Sequence, residues 1–132
     1  VLLAVSKAAG LNCDCVPSIT KGFQGGLCSG EVCGAASGAV LGLGMLYGDE
    51  QPETVSPRTE EFMKSFEQAQ GSVRCFDLID FDINAATSGD DFGEVMKLLW
   101  FFTKVGKKIC NGAIRDSVQM ILNPWLEENM KQ

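Results

Sequence analysis

The 132-residue chain contains no histidine. That excludes the Ser–His and Cys–His nucleophile pairs and the Cys₂His₂ zinc site. It has no cluster of Lys and Arg, and its net charge is −6. An acidic chain repels phosphate, so no nucleic-acid partner and no anionic-membrane patch are expected. A membrane-spanning helix wants about 20 strongly apolar residues. The longest uncharged run, Val32 to Gly48, is shorter than that and diluted with glycine, so it reads as a buried helix. Alternating runs flanked by turn dipeptides are missing, which argues against strands. The glycines between Gly22 and Gly30 lack the Lys-Ser/Thr of a phosphate loop and no strand precedes them. No C-x-x-C-H is present, so the chain attaches no c-type haem.

What is present describes a folded protein. Apolar residues make up 45% and charged residues 21%, the balance of a globular chain rather than a disordered one. The length suits one domain over residues 1–132. There are six cysteines, too sparse for a disulfide-stapled mini-domain in a chain able to build its own core. Without histidine, any metal site must be made of thiolates, which favours Cys₄ zinc or an iron–sulfur cluster.

The pattern along the chain is helical. "VLLAVSKAA" reads as a helix stopped by Gly10, and "PSITKGF" as one or two helical turns. Gly22 to Gly30 reads as a glycine loop. Val32 to Tyr47 carries glycines at 34, 38 and 42, four apart. On a helix they form one smooth face that a second helix can approach closely. Ser56 is expected to cap the next helix, with Pro57 at its first position and Phe62 and Phe66 on one face. Gly71 ends it, and Ser72 caps the short "SVRCFDLI". "DFDINAATSGDD" reads as a polar loop, and Phe92 to Val105 as a helix. The rings Trp100 to Phe102 point in three directions, as core packing combined with a dimer interface would need. Asn111 is expected to open the last helix, with Ile114, Val118 and Ile121 or Leu122 as its stripe and a kink at Asn123-Pro124. The fold class is therefore all-α: a compact bundle of about six helices around the glycine-rich central one.

Three cysteines fall at the starts of three helices in this reading. Cys33 opens the glycine helix, Cys75 lies beside Arg74 in the first turn after Ser72, and Cys110 precedes Asn111 with Lys107 and Lys108 upstream. Free N–H groups and positive potential at a helix start favour a thiolate, as nucleophile or as metal ligand. Any one of them alone would read as a small buried apolar residue; the three together point to a shared redox or metal role. Cys13 and Cys15, "CDC", match no strong metal spacing. They and Cys28 stay open as ligands, disulfide partners or inert thiols.

With Cys33, "CGAASG", Cys75 and Cys110 in place, the chain resembles the C_GCAxxG_C_C family, small bacterial and archaeal proteins with four characteristic cysteines. "GEVCGAASGAVLGLGMLYG" is similar to the family's central segment, "GSVRCFDLI" to its S-x-x-C-x-x-L segment, and Cys110 to its last cysteine. The family's first cysteine precedes an apolar helix that begins like "VLLAVSKA". Here that helix starts at Val1, so a fourth cysteine upstream of Val1 and an N-terminally incomplete domain are expected. The resemblance implies a small redox protein in which Cys33, Cys75 and Cys110 hold an iron–sulfur cluster or another thiolate-bound metal for electron transfer. Metal-free thiol–disulfide chemistry by the same three residues is the alternative. A non-catalytic structural or partner-binding helical domain is the third reading. A redox partner protein, a homodimer, no membrane span and a cytoplasmic location, with the periplasm left open, complete the expectations.

Overall fold

The structure is a computed structural model that describes residues 1–11, 13–49, 52–80, 82–89, 91–100 and 106–131, with backbone alone at 52, 83, 84 and 87. The helices are α1 (Leu2–Ala8), α2 (Val16–Ile19), α3 (Gly34–Tyr47), α4 (Pro52–Gln70), α5 (Cys75–Ile79), α6 (Ile83–Ser88), α7 (Phe92–Trp100) and α8 (Gly106–Met130). Among the described residues there is no strand, only one isolated antiparallel bridge between Val32 and Arg74. The fold is all-α, as the sequence pattern predicts, and no described helix is long and apolar enough to cross a membrane.

The glycine helix α3 is the centre. It packs against α1, α4 and α8, and Ala36, Ala39, Leu43 and Tyr47 are buried in the main core with Val5, Phe62, Phe66, Ala113 and Ile121. Its smooth face does what the four-residue spacing implies. A Cβ at Gly42 would lie 3.1 Å from Ile121 Cδ1 and 3.3 Å from both Val5 methyls, so α1 and α8 meet over a position that only glycine leaves open. A Cβ at Gly34 would run into the Phe23 carbonyl, so the preceding loop is pressed onto the same face. On α4, Phe62 and Phe66 pair at 5.9 Å between ring centroids, and both are buried. The far ends of α3, α4 and α8 are tied by Glu128, which accepts from Tyr47 Oη at 3.1 Å and from Arg58 Nη1 at 2.9 Å. The Arg58 guanidinium also stacks 4.1 Å from the Tyr47 ring centroid.

Several local expectations are corrected. The fourth helix begins at Pro52, not after a cap at Ser56, and Pro57 sits inside it. A proline in the first turn lacks only a donor that has no acceptor there, so Pro52 starts a helix at no cost and tertiary packing carries the chain past Pro57. "DFDINAATSGDD" contains α6, because Asp82 caps it: its Oδ1 accepts from the Ala85 N–H at 3.2 Å and its carbonyl from the Ala86 N–H at 3.0 Å. The last helix opens at Gly106 rather than Asn111 and runs through Pro124. Its buried stripe is Ala113, Ser117 and Ile121, while Ile114 is exposed. Small side chains on that stripe are what α1 and α3 can approach. Trp100 is 60% exposed rather than core, because α7 buries no residue and leans on the second core cluster of Cys75, Ile79 and Ala86 through Leu98. Phe101, Phe102 and the rest of the expected helix to Val105 lie outside the described residues.

Candidate functional site

The site is built where α3 and α5 begin. The segments before these helices run antiparallel past each other at the Val32–Arg74 bridge. The Cys33 N–H donates to the Val73 carbonyl at 2.8 Å, and the Cys75 N–H donates to the Glu31 carbonyl at 2.7 Å. Each cysteine is thus fixed by its own peptide group to the segment that leads into the other. Cys33 is the N-cap residue of α3 and Cys75 the first residue of α5. Ser72 is not the cap of α5. Its hydroxyl accepts from the Arg74 N–H at 3.0 Å and donates to Asp77 at 2.8 Å, while Arg74 occupies the cap position.

A left-handed turn closes the site from the other side. Gly25, Gly26, Leu27 and Cys28 all have φ near +60°: 59°, 63°, 60° and 59°. For residues with a Cβ this conformation costs roughly 1–2 kcal/mol each, so the surrounding contacts must hold it. Gly26 supplies them. Its carbonyl accepts from the Glu31 N–H at 3.0 Å and from Ser29 Oγ at 2.9 Å. Its Cα presses so close that a Cβ there would stand 2.6 Å from the Cys75 Cβ. The turn that carries Cys28 is therefore packed on Cys75.

These elements enclose a cavity of about 700 Å³. Its walls are mostly apolar: Leu2 and Leu3 of α1, Val16 and Pro17 of α2, Ile79 of α5, Leu98 of α7 and Ile114 of α8. Cys28, Cys33, Cys75 and Cys110 all line it. Cys33 and Cys75 are buried, while Cys28 and Cys110 are exposed at its edge. The structure thus brings Cys33, Cys75 and Cys110 to one cavity, although not three helix starts. Cys110 stands in the second turn of α8, four residues after Gly106, because that helix begins earlier than its asparagine suggests. Cys28 joins them, a thiol whose role sequence reasoning left open. The only signal for it was the glycine pair before it, which permits a left-handed turn.

The electrostatics differ from the expected activated thiols. Burial pushes the Cys75 thiol up to about 11, with further contributions from Cys33 and then Cys110. Burial, and after it Cys33, also raises Cys110 above the ordinary thiol value of 9.0, even though its helix flank is exposed. The expected help from Arg74 is spent elsewhere: its guanidinium pairs with Glu31 at 3.3 Å on the surface. Lys107 and Lys108 point into solvent, where a charge is screened. The influence of Cys33 on both thiols, and of Cys110 on Cys75, accords with their lining one cavity. They are nonetheless not drawn into one coordination sphere: among the described residues, no group of three or more Cys, Asp or Glu is placed to hold a metal ion. Cys13 and Cys15 are apart from the cluster and bonded to each other as a disulfide.

A helical protein with four thiols gathered in an apolar cavity is the class that fold and site define. The sequence model of the family described as "Putative redox-active protein (C_GCAxxG_C_C)" matches residues 1–123, and the chain belongs to that family. No curated protein and no solved structure matches the chain.

Proposed function

We propose that the protein is a redox-active thiol protein in which Cys33, Cys75 and Cys110 act together, with Cys28 as the solvent-facing fourth thiol. One observation carries this: four cysteines from four separate segments line a single apolar cavity. Random burial of inert thiols does not require that convergence. Thiol–disulfide chemistry is the reading that best suits the geometry. An exposed thiolate attacks a partner's disulfide, forming a mixed disulfide and releasing one partner thiol. A second cavity thiolate then attacks the protein sulfur of that bond and releases the other. Two protein thiols are oxidised and one partner disulfide is reduced, so a redox partner protein is the expected companion.

An iron–sulfur cluster is the second reading, favoured by four thiols that line one apolar cavity, since a cationic centre would favour their thiolate forms. The cysteines as placed do not form a ready site for it, so no chemistry is derived through it. The test is anaerobic purification followed by visible absorbance, iron and sulfide analysis, and free-thiol mapping before and after mild oxidation. A colourless protein that forms a disulfide between two of the four cavity cysteines is the expected result. Stoichiometric iron and sulfide would favour the cluster. Four thiols that stay free, with no metal bound, would overturn both.

A further inference from the structure

We infer that the Cys13–Cys15 disulfide is a second redox centre, a surface dithiol–disulfide pair that exchanges two electrons with a dithiol. The bond joins residues two apart. Its ring encloses Asp14 alone and links no two elements of the fold. The stabilisation a cross-link gives grows with the length of chain it closes, so this one has little to offer as a staple. The helix that follows does not need it. The Cys15 carbonyl accepts from the Ser18 and Ile19 N–H groups at 2.9 and 3.0 Å, and the Cys13 carbonyl from the Val16 N–H at 3.2 Å. These are backbone bonds in which the two sulfurs take no part. The bond is also reachable: Asp14 and Cys15 are exposed and Cys13 is half-buried. Exposed disulfides are the labile, catalytic kind, because exchange requires a thiolate to reach a sulfur. Finally, Val16, Pro17 and Thr20, which follow the bond directly, form one wall of the thiol cavity.

The step balances. A donor thiolate attacks one sulfur of the pair, the Cys13–Cys15 bond breaks, and the displaced sulfur takes up a proton. The donor's second thiol then attacks the mixed disulfide, the other cysteine leaves as a thiol, and the donor departs as a disulfide. The chemistry is that of any dithiol, so the donor is either an external dithiol or two of the cavity thiols. The pair does not depend on the cavity reading, and inert cavity thiols would leave it standing.

The experiment starts from protein oxidised at Cys13–Cys15 and reduced at the other four cysteines. Alkylation with site-resolved mass spectrometry follows each thiol. Graded dithiothreitol should open the bond with helicity unchanged, and, once the reductant is removed, excess oxidised glutathione should close it again. Catalysed turnover of dithiothreitol with a low-molecular-weight disulfide should fall in Cys13→Ser and in Cys15→Ser to the rate that the cavity thiols alone sustain, and both variants should keep the wild-type circular dichroism. Without any added reductant, appearance of Cys13 and Cys15 thiols together with a cavity disulfide, at a rate independent of protein concentration, identifies the internal donor. No change until dithiothreitol is added identifies an external one. A bond that opens only as the helices melt, or one that fails to re-form, overturns the proposal.

Discussion

Cys33 and Cys75 are held by reciprocal peptide hydrogen bonds, Cys33 N–H to Val73 at 2.8 Å and Cys75 N–H to Glu31 at 2.7 Å. The two thiols are 42 residues apart in sequence, yet a single antiparallel bridge sets the starts of their helices side by side. Helix propensity does not produce this pairing. It depends on the left-handed turn at Gly25 to Cys28, which leaves Glu31 free to meet residue 75, and on Gly71, whose φ of +91° turns the chain at the end of α4.

The first prediction follows from the thiol environment. The Cys75 thiol is raised in the fold from 9.0 to about 11, so the folded protein binds that proton more tightly than the unfolded chain does. The resulting stability is fully present below pH 9 and is lost as pH rises through about 11. Reduced protein should therefore keep a constant melting temperature up to about pH 8.5 and lose stability steadily above it, whereas Cys75→Ala should show a flatter profile over that window. Alkylation at pH 8 should spare Cys75 while Cys28 reacts. Rapid labelling of Cys75 at pH 8 would show that the thiol is neither buried nor crowded by its neighbours.

The second concerns the glycine face. A Cβ at Gly42 meets Ile121 and the Val5 methyls at 3.1–3.3 Å, closer than real Cβ contacts comfortably come. Gly42→Leu should overfill the contact between α1, α3 and α8 and cost about 1–3 kcal/mol. Gly44, with nothing within 4 Å of its Cβ position, is the control: Gly44→Ala should be neutral or stabilising, because alanine restricts the unfolded chain in a helix. Thermal melts of both variants check this, and equal effects at the two positions would contradict the packing.

The third concerns Ser117. It is fully buried between the helices, and among the described residues its hydroxyl has no hydrogen-bond partner. An unpaired buried hydroxyl has left water without compensation. Ser117→Ala should raise stability by about 1 kcal/mol, some 3–5 °C in melting temperature for a chain of this size. A destabilised variant would show that the hydroxyl is satisfied in solution.

Much of the architecture is legible in the residues because it rests on periodicity. The four-residue glycine spacing, the Phe62–Phe66 pair and the stop at Gly71 each encode a local geometry, and each appears in the fold as read. What the sequence hides is set by partners distant in the chain. Cys110 looks like a helix start because Asn111 is a good cap, but the helix begins at Gly106 and buries Ala113, Ser117 and Ile121 against α1 and α3. Arg74 looks like an activator of Cys75 until Glu31 is brought across to pair with it. The gathering of Cys28 with the other cavity thiols depends on a strained turn, and strain of that kind leaves no periodic trace.

The last prediction tests that turn. Gly26 has a φ of +63°, and a Cβ there would stand 2.5 Å from the Glu31 carbonyl oxygen and 2.6 Å from the Cys75 Cβ. Two separate penalties act at this position. A side chain in the left-handed region costs about 1 kcal/mol, and the clash falls partly on backbone, which cannot rotate away. Gly26→Ala should therefore push the turn off Cys75, weaken the Cys75 N–H to Glu31 bond and widen the cavity. Global stability should fall by about 2–3 kcal/mol. Because the turn lies at the rim, the main core of α3, α4 and α8 should survive, and the helical circular dichroism with it. The sharper readout is chemical. With the turn displaced, Cys75 gains access to water, its raised thiol falls back toward 9.0, and its alkylation at pH 8 accelerates relative to the wild type. Gly10→Ala provides the comparison, since Gly10 has a similar φ of +69° but nothing within 4 Å of its Cβ position. It should show the conformational penalty alone and leave Cys75 protected. Equal protection of Cys75 in both variants would mean that the left-handed turn does not pack on the thiol, and that Cys28 is not held beside it.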